Sequence, residues 1–178
     1  MPFFVFYGND IKFLKRNLNK WENEKFSKYP DLELDFPDNP TLSILTQKLS
    51  ENSLFSSKKL IKVYEYEKVK NIDKIFDVET DHLVCFISYQ EKKGIRKKKG
   101  IESFCYNLPK NYEIEKIIQN KFRGKLEKEL IEYLSKNISS LIDLDDLEEY
   151  LKEKSINFLT FNDYIKIMGD NEAKVYLI

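Results

Sequence analysis

The sequence predicts an α/β fold: a mostly parallel sheet flanked by helices, followed by a small helical bundle. Three observations predict it. Short apolar runs rich in β-branched and aromatic residues alternate with helical periodicity through the first 110 residues. The strand signal then stops at Pro109. Beyond it, apolar residues recur only at spacings of three and four. The expected division is therefore an α/β domain over 1–110 and a helical domain over 111–178.

The elements follow in chain order. FFVFY (3–7), bounded by Gly8 and Asn9, reads as a strand buried on both faces. Asp10 is placed to cap a helix whose apolar face carries Ile11, Leu14, Leu18 and Trp21. LELDF (32–36) alternates as a strand, and Pro37 and Pro40 punctuate the turn after it. Thr41 then precedes a helix with Leu42, Leu45 and Leu49 on one side. LIKVYEY (60–66) fits a strand with one wetter face, HLVCFISY (82–89) a central strand, and SFCYNL (103–108) a last short strand. Four helical faces follow: Ile114, Ile117 and Ile118; then Leu126, Leu130, Leu134 and Ile138. Leu144, Leu147 and Leu151 form the third, and Phe161, Tyr164, Ile165 and Met168 the fourth.

Composition bounds the function classes. With 178 residues, 42% of them hydrophobic and 14% aromatic, the chain has enough apolar area to offset the ordering entropy and fold. Its longest apolar runs fall far short of the roughly 18 residues of a membrane span. No basic segment leads into a long apolar stretch at the N-terminus, and Cys85 and Cys105 lack disulfide-scaffold or zinc spacing, so a reducing cytoplasm is expected. The 30 basic and 30 acidic side chains cancel, and 27 of the cations are Lys, a solvated-surface pattern rather than a bidentate phosphate-reading one.

Motifs for chemistry are sparse. A nucleotide-binding domain would place a phosphate loop after its first strand, but that link is only Gly8, Asn9 and Asp10, with no GxxxxGK[ST]. Asp10 would repel a phosphate there. The sole histidine, His82, stands at the start of an apolar strand and reads as structural. Asp10, Asp35 and Asp38 fall near strand ends, the one arrangement that would suit a magnesium-dependent enzyme; as turn residues they are read first as solvated caps. KKGIRKKKG (92–100) holds six cations in nine residues and would suit a DNA-binding module, although it lacks interleaved aromatics and also fits a solvated loop. The acidic run DLDDLEEYLKEK (143–154) reads as a solvated helix face. In SLFSSKKLIKVYEY, Leu54 and Phe55 interrupt a polar neighbourhood between a helix and a strand. The pair either folds back onto the core or stands out as an anchor for a partner's pocket.

FFVFYGND at the start, SLFSSKKLIKVYEYEKVKN in the middle, HLVCFISYQEKKGIRKKK after it and LTFNDYIKIMGDNEAKVYLI at the end occur in one order along nearly the whole chain. In that order and spacing the sequence resembles the delta-subunit family of bacterial DNA polymerase III clamp loaders. The resemblance implies an AAA+-like domain without a functional P-loop, followed by a helical lid domain. It further implies a non-catalytic subunit with no cofactor, which binds the sliding clamp and helps open it during DNA replication. Leu54 and Phe55 stand where that family carries its clamp-binding pair. The other clamp-loader subunits are implied partners, with DNA met only as part of the assembly. The family's third, helical collar domain has no counterpart in this sequence, so assembly into the loader is the expectation least supported by it.

Overall fold

The computed structural model describes residues 3–51, 57–91 and 100–175, with side chains through Gly169. The chain divides into two compact units, Met1–Asn107 and Leu108–Ile178.

The first unit is built on a five-stranded sheet of order β2-β3-β4-β1-β5, comprising β1 (Phe3–Tyr7), β2 (Glu33–Asp35), β3 (Lys59–Tyr64), β4 (Leu83–Ser88) and β5 (Ile101–Cys105). Every pairing is parallel. Parallel neighbours require crossovers, and α1 (Ile11–Lys28) and α2 (Leu42–Ser50) supply two of them. Strand alternation divides the core into two layers. Phe4, Phe6, Leu60, Leu83 and Ile87 face α1, where they bury Leu14, Leu18 and Trp21. Phe3, Val5, Ile61, Val63, Val84 and Phe86 face the other way, against Leu45 and Leu49 of α2 and Ile75 in a 3-10 turn. FFVFY and LVCFI carry no alternation because both their faces are covered.

Both early helices start where side-chain oxygens replace missing backbone partners. The Asp10 carboxylate accepts from the Phe13 amide, and the Thr41 hydroxyl accepts from the Ile44 amide. Ile11 departs from the expected apolar face of α1: it is 43% exposed, because Leu14, Leu18 and Trp21 already fill the sheet side. The last strand starts earlier than the sequence pattern suggests. Its register opposite β1 begins at the Ile101–Phe3 pair, and the chain leaves the ladder after Cys105.

The second unit contains α3 (Asn111–Phe122), α4 (Lys128–Asn137), α5 (Ile142–Glu153) and α6 (Phe161–Val175). Their shared core includes Ile114, Ile118, Leu130, Leu134, Leu144 and Leu151. Leu126 belongs to no helix: it forms a parallel bridge with Leu159, flanked by hydrogen bonds from the Glu127 amide to Leu159 O (3.0 Å) and from the Leu159 amide to Lys125 O (2.8 Å). On α6 the packed side is Phe161, Tyr164 and Ile167, whereas Ile165 and Met168 are 43% and 42% exposed. Lys121 of α3 reaches Asp145 (2.8 Å) and Glu148 (2.7 Å) of α5. Hydrogen bonds from Lys121 and Lys152 hold the Glu148 carboxyl well below its ordinary range, at about 2.

Candidate functional site

The candidate residues are spread over several chain links, of which the β1–α1 turn and the connection from α2 to β3 have the most detailed surroundings. In the first, three successive amides are committed to this chain. Gly8 N–H donates to Ser88 O (3.2 Å), and Asp10 N–H donates to Tyr106 O (3.0 Å). Asn9 N–H donates to the Asn107 side-chain oxygen (3.3 Å). Tyr106 N–H in turn donates to Tyr7 O (2.8 Å), so the stretch after β5 lies directly against the turn. Gly8 is required here. Its φ is +149°, and a Cβ on it would stand 2.1 Å from Tyr106 O.

A phosphate cradle works by aiming free amides outward at the helix N-terminus. This turn aims them inward. Asp10 is fully buried, and its carboxylate takes the Phe13 amide at 3.0 Å, where an anion would otherwise meet the helix end.

The three candidate carboxylates are not brought together. Asp10 follows β1, whereas Asp35 lies on β2, three strand positions away, or about 14 Å at the usual strand spacing. Asp35 is paired with Lys48 at 2.6 Å, and Asp38 is exposed in the link before α2. Among the described residues no group of three His, Cys, Asp or Glu side chains is placed to share a metal ion. A crevice of about 490 Å³ lies beside Asp38, lined also by Phe36, Lys62, Tyr64 and Glu65. Both of its lysines are already engaged: Lys68 pairs with Glu65 at 2.7 Å, and Lys62 is ion-paired with Glu22 of α1, both of the latter side chains being largely buried. Burial lowers the pKa of the Lys62 ammonium, but Glu22 and the Tyr64 hydroxyl outweigh it and hold the group above its ordinary value.

Leu54 and Phe55 lie outside the described residues, as do residues 92–99 of the basic stretch. The residues on either side of the first pair along the chain are described. The link leaves α2 at Glu51 and enters β3 at Lys59, whose side chains meet at 3.2 Å. His82 stands between them, 1% exposed. Its Nδ1 accepts from Lys59 N–H (3.2 Å), and its Nε2 lies 3.0 Å from Glu51 O. The sequence identifies His82 only as structural; its two partners are 23 and 31 residues away along the chain, and no local pattern encodes them.

These features define a parallel α/β unit of strand order 2-3-4-1-5 with a self-closed first turn, followed along the chain by a helical unit. No family model and no curated protein sequence matches the chain. Among solved structures it is similar to the DNA clamp loader delta protein of Bacillus subtilis, with a TM-score of 0.51 and 14% sequence identity over 92% of this chain and 57% of that one. The likeness is one of fold, and the chain spans a little over half the length of that protein. No helix among the described residues is long and apolar enough to cross a membrane.

Proposed function

We propose that the chain is a non-catalytic, clamp-loader delta-like subunit that binds a DNA sliding clamp through Leu54 and Phe55. The observation that carries this reading is the fold likeness to a clamp loader delta protein over 92% of the chain, together with the Leu-Phe pair in the link between α2 and β3. The self-closed β1–α1 turn supports a role without nucleotide hydrolysis, because its amides are bonded within the chain.

Such a subunit needs no reacting group. A ring opens when a partner binds its sprung form more tightly than its closed form, since a ligand shifts an equilibrium only by its differential affinity. Two apolar anchors, each contributing about 1.5–3 kcal/mol when buried in a pocket, are sufficient for a bias of a few kcal/mol. Nucleotide use then belongs to other subunits of the assembly, whose state exposes or hides this surface.

The test is capture of the purified sliding clamp by the intact chain and by the Leu54→Ala, Phe55→Ala double variant. The expected outcome is an unchanged fold with at least about a hundredfold loss of affinity. Normal clamp binding by the double variant refutes the assignment of the pair. Unfolding of the variant assigns both residues to the core instead.

A further inference from the structure

We propose that His82 is a positioning residue that fixes the base from which the link between α2 and β3 is presented. The inference rests on the reading of Leu54 and Phe55 as clamp anchors, but its physical content lies in described residues. The imidazole holds both ends of the link, with the Lys59 amide on Nδ1 (3.2 Å) and the Glu51 carbonyl at Nε2 (3.0 Å). A backbone amide only donates and a carbonyl only accepts, so the ring between them is neutral and carries its proton on Nε2. His82 is held in turn by its own amide, which donates to the Thr80 hydroxyl (3.2 Å), and by its place beside β4.

The stretch from residue 51 to residue 59, eight Cα-to-Cα steps, reaches about 27 Å when extended. Closing its two ends onto one buried ring removes most of that range. The Lys59–Glu51 ion pair adds a second, more exposed closure (3.2 Å). A side chain presented from a fixed base loses less freedom on binding than one presented from a loose base, so affinity rises without any new contact to the partner. Sequence separation hides the device. Nothing near position 82 announces that it serves residues 51 and 59.

The experiment uses the full chain with His82→Leu, which removes both bonds, and His82→Asn, whose amide oxygen can take the place of Nδ1 but whose side chain is too short to reach Glu51. Amide hydrogen exchange and affinity for the purified sliding clamp are measured below the melting temperature of each variant. In His82→Leu, exchange at Lys59 is expected to accelerate at least tenfold while Val84 and Phe86 on β4 stay protected, and clamp affinity is expected to fall about tenfold. In His82→Asn, Lys59 regains protection and affinity stays severalfold below the native value, because the Glu51 end is still released. Native affinity in a folded His82→Leu overturns the proposal, and so does exchange that accelerates equally through β3 and β4, the mark of a general packing role. Should His82→Leu not fold, the Asn variant decides by the same two readouts, and native affinity in it overturns the proposal. If the native chain binds no clamp, the proposed function fails, and Lys59 exchange in the variants alone decides whether His82 holds the link.

Discussion

Tyr66 is 5% exposed and meets Phe86 edge-on, with ring centroids 5.8 Å apart. Burial pushes its phenol up from 10.0 to about 12, and the neighbouring Glu67 carboxylate adds to the shift. Between those values the unfolded chain gives up a proton that the native chain retains. This contribution is therefore complete below pH 10 and is lost as pH rises through about 12. Urea midpoints followed from pH 9 to 12 should show the decline, up to about 2 kcal/mol, and Tyr66→Phe should flatten it. The raised pKa of Lys62 acts in the same direction, so its stabilisation also disappears on the alkaline side. Gly8 leaves no room for a side chain. Gly8→Ala combines a strained φ of +149° with a Cβ driven into Tyr106 O, and should cost about 2–4 kcal/mol by urea denaturation. The sequence marks Gly8 as the end of a strand, but the reason it must be glycine comes from a residue 98 positions later.

Among the elements, α1 and β3 are tied by more than apolar packing. Lys62 lies on the strand face that also carries Leu60, and its ammonium meets Glu22 one position after Trp21 on α1. Lys62→Met alone strands the Glu22 carboxylate in a largely buried site and should cost about 3 kcal/mol. Adding Glu22→Leu should recover most of that loss, as read from chemical denaturation of the single and double variants. The strands themselves are legible in the sequence, but their ends are less so. FFVFY matches β1 end to end and HLVCFISY overruns β4 by one residue at each end, because continuous apolar runs have few other stable uses. LIKVYEY runs two residues past β3, and the wetter face expected of it is buried as far as Val63, since Lys62 is covered by α1 and paired with Glu22. The helical faces are less so. On α6 the periodicity favours Ile165 and Met168, yet Ile167 takes the packed position, since a sequence with apolar residues on two sides leaves the choice to the neighbouring helix. Leu126 misleads for a similar reason: its spacing to Leu130 is helical, but its backbone is used in the bridge to Leu159.

For the whole molecule, the fold class follows from pattern, whereas the candidate site does not. An all-parallel sheet with helical crossovers is implied by alternating strand and helix signals, and β1 and β4 lie side by side near its middle, as their unbroken apolar runs suggest. The imidazole joining residues 51 and 59, and the inward-turned amides after β1, depend on contacts far apart in sequence. Each of the two compact units contains its own apolar cluster, so residues 1–107 and 108–178, produced separately, are each expected to fold. Far-ultraviolet circular dichroism with thermal melting checks this. A fragment without a cooperative transition ties that unit's stability to the rest of the chain.

The seal between the first turn and the segment leaving the fifth strand also limits redesign. Installing a triphosphate pocket in this scaffold takes more than exchanging a few residues for a glycine-rich sequence. The backbone at Tyr106 sits where the enlarged loop must go, and Asp10 would need another group to start its helix, so a graft succeeds only if both ends of the first unit are rebuilt together.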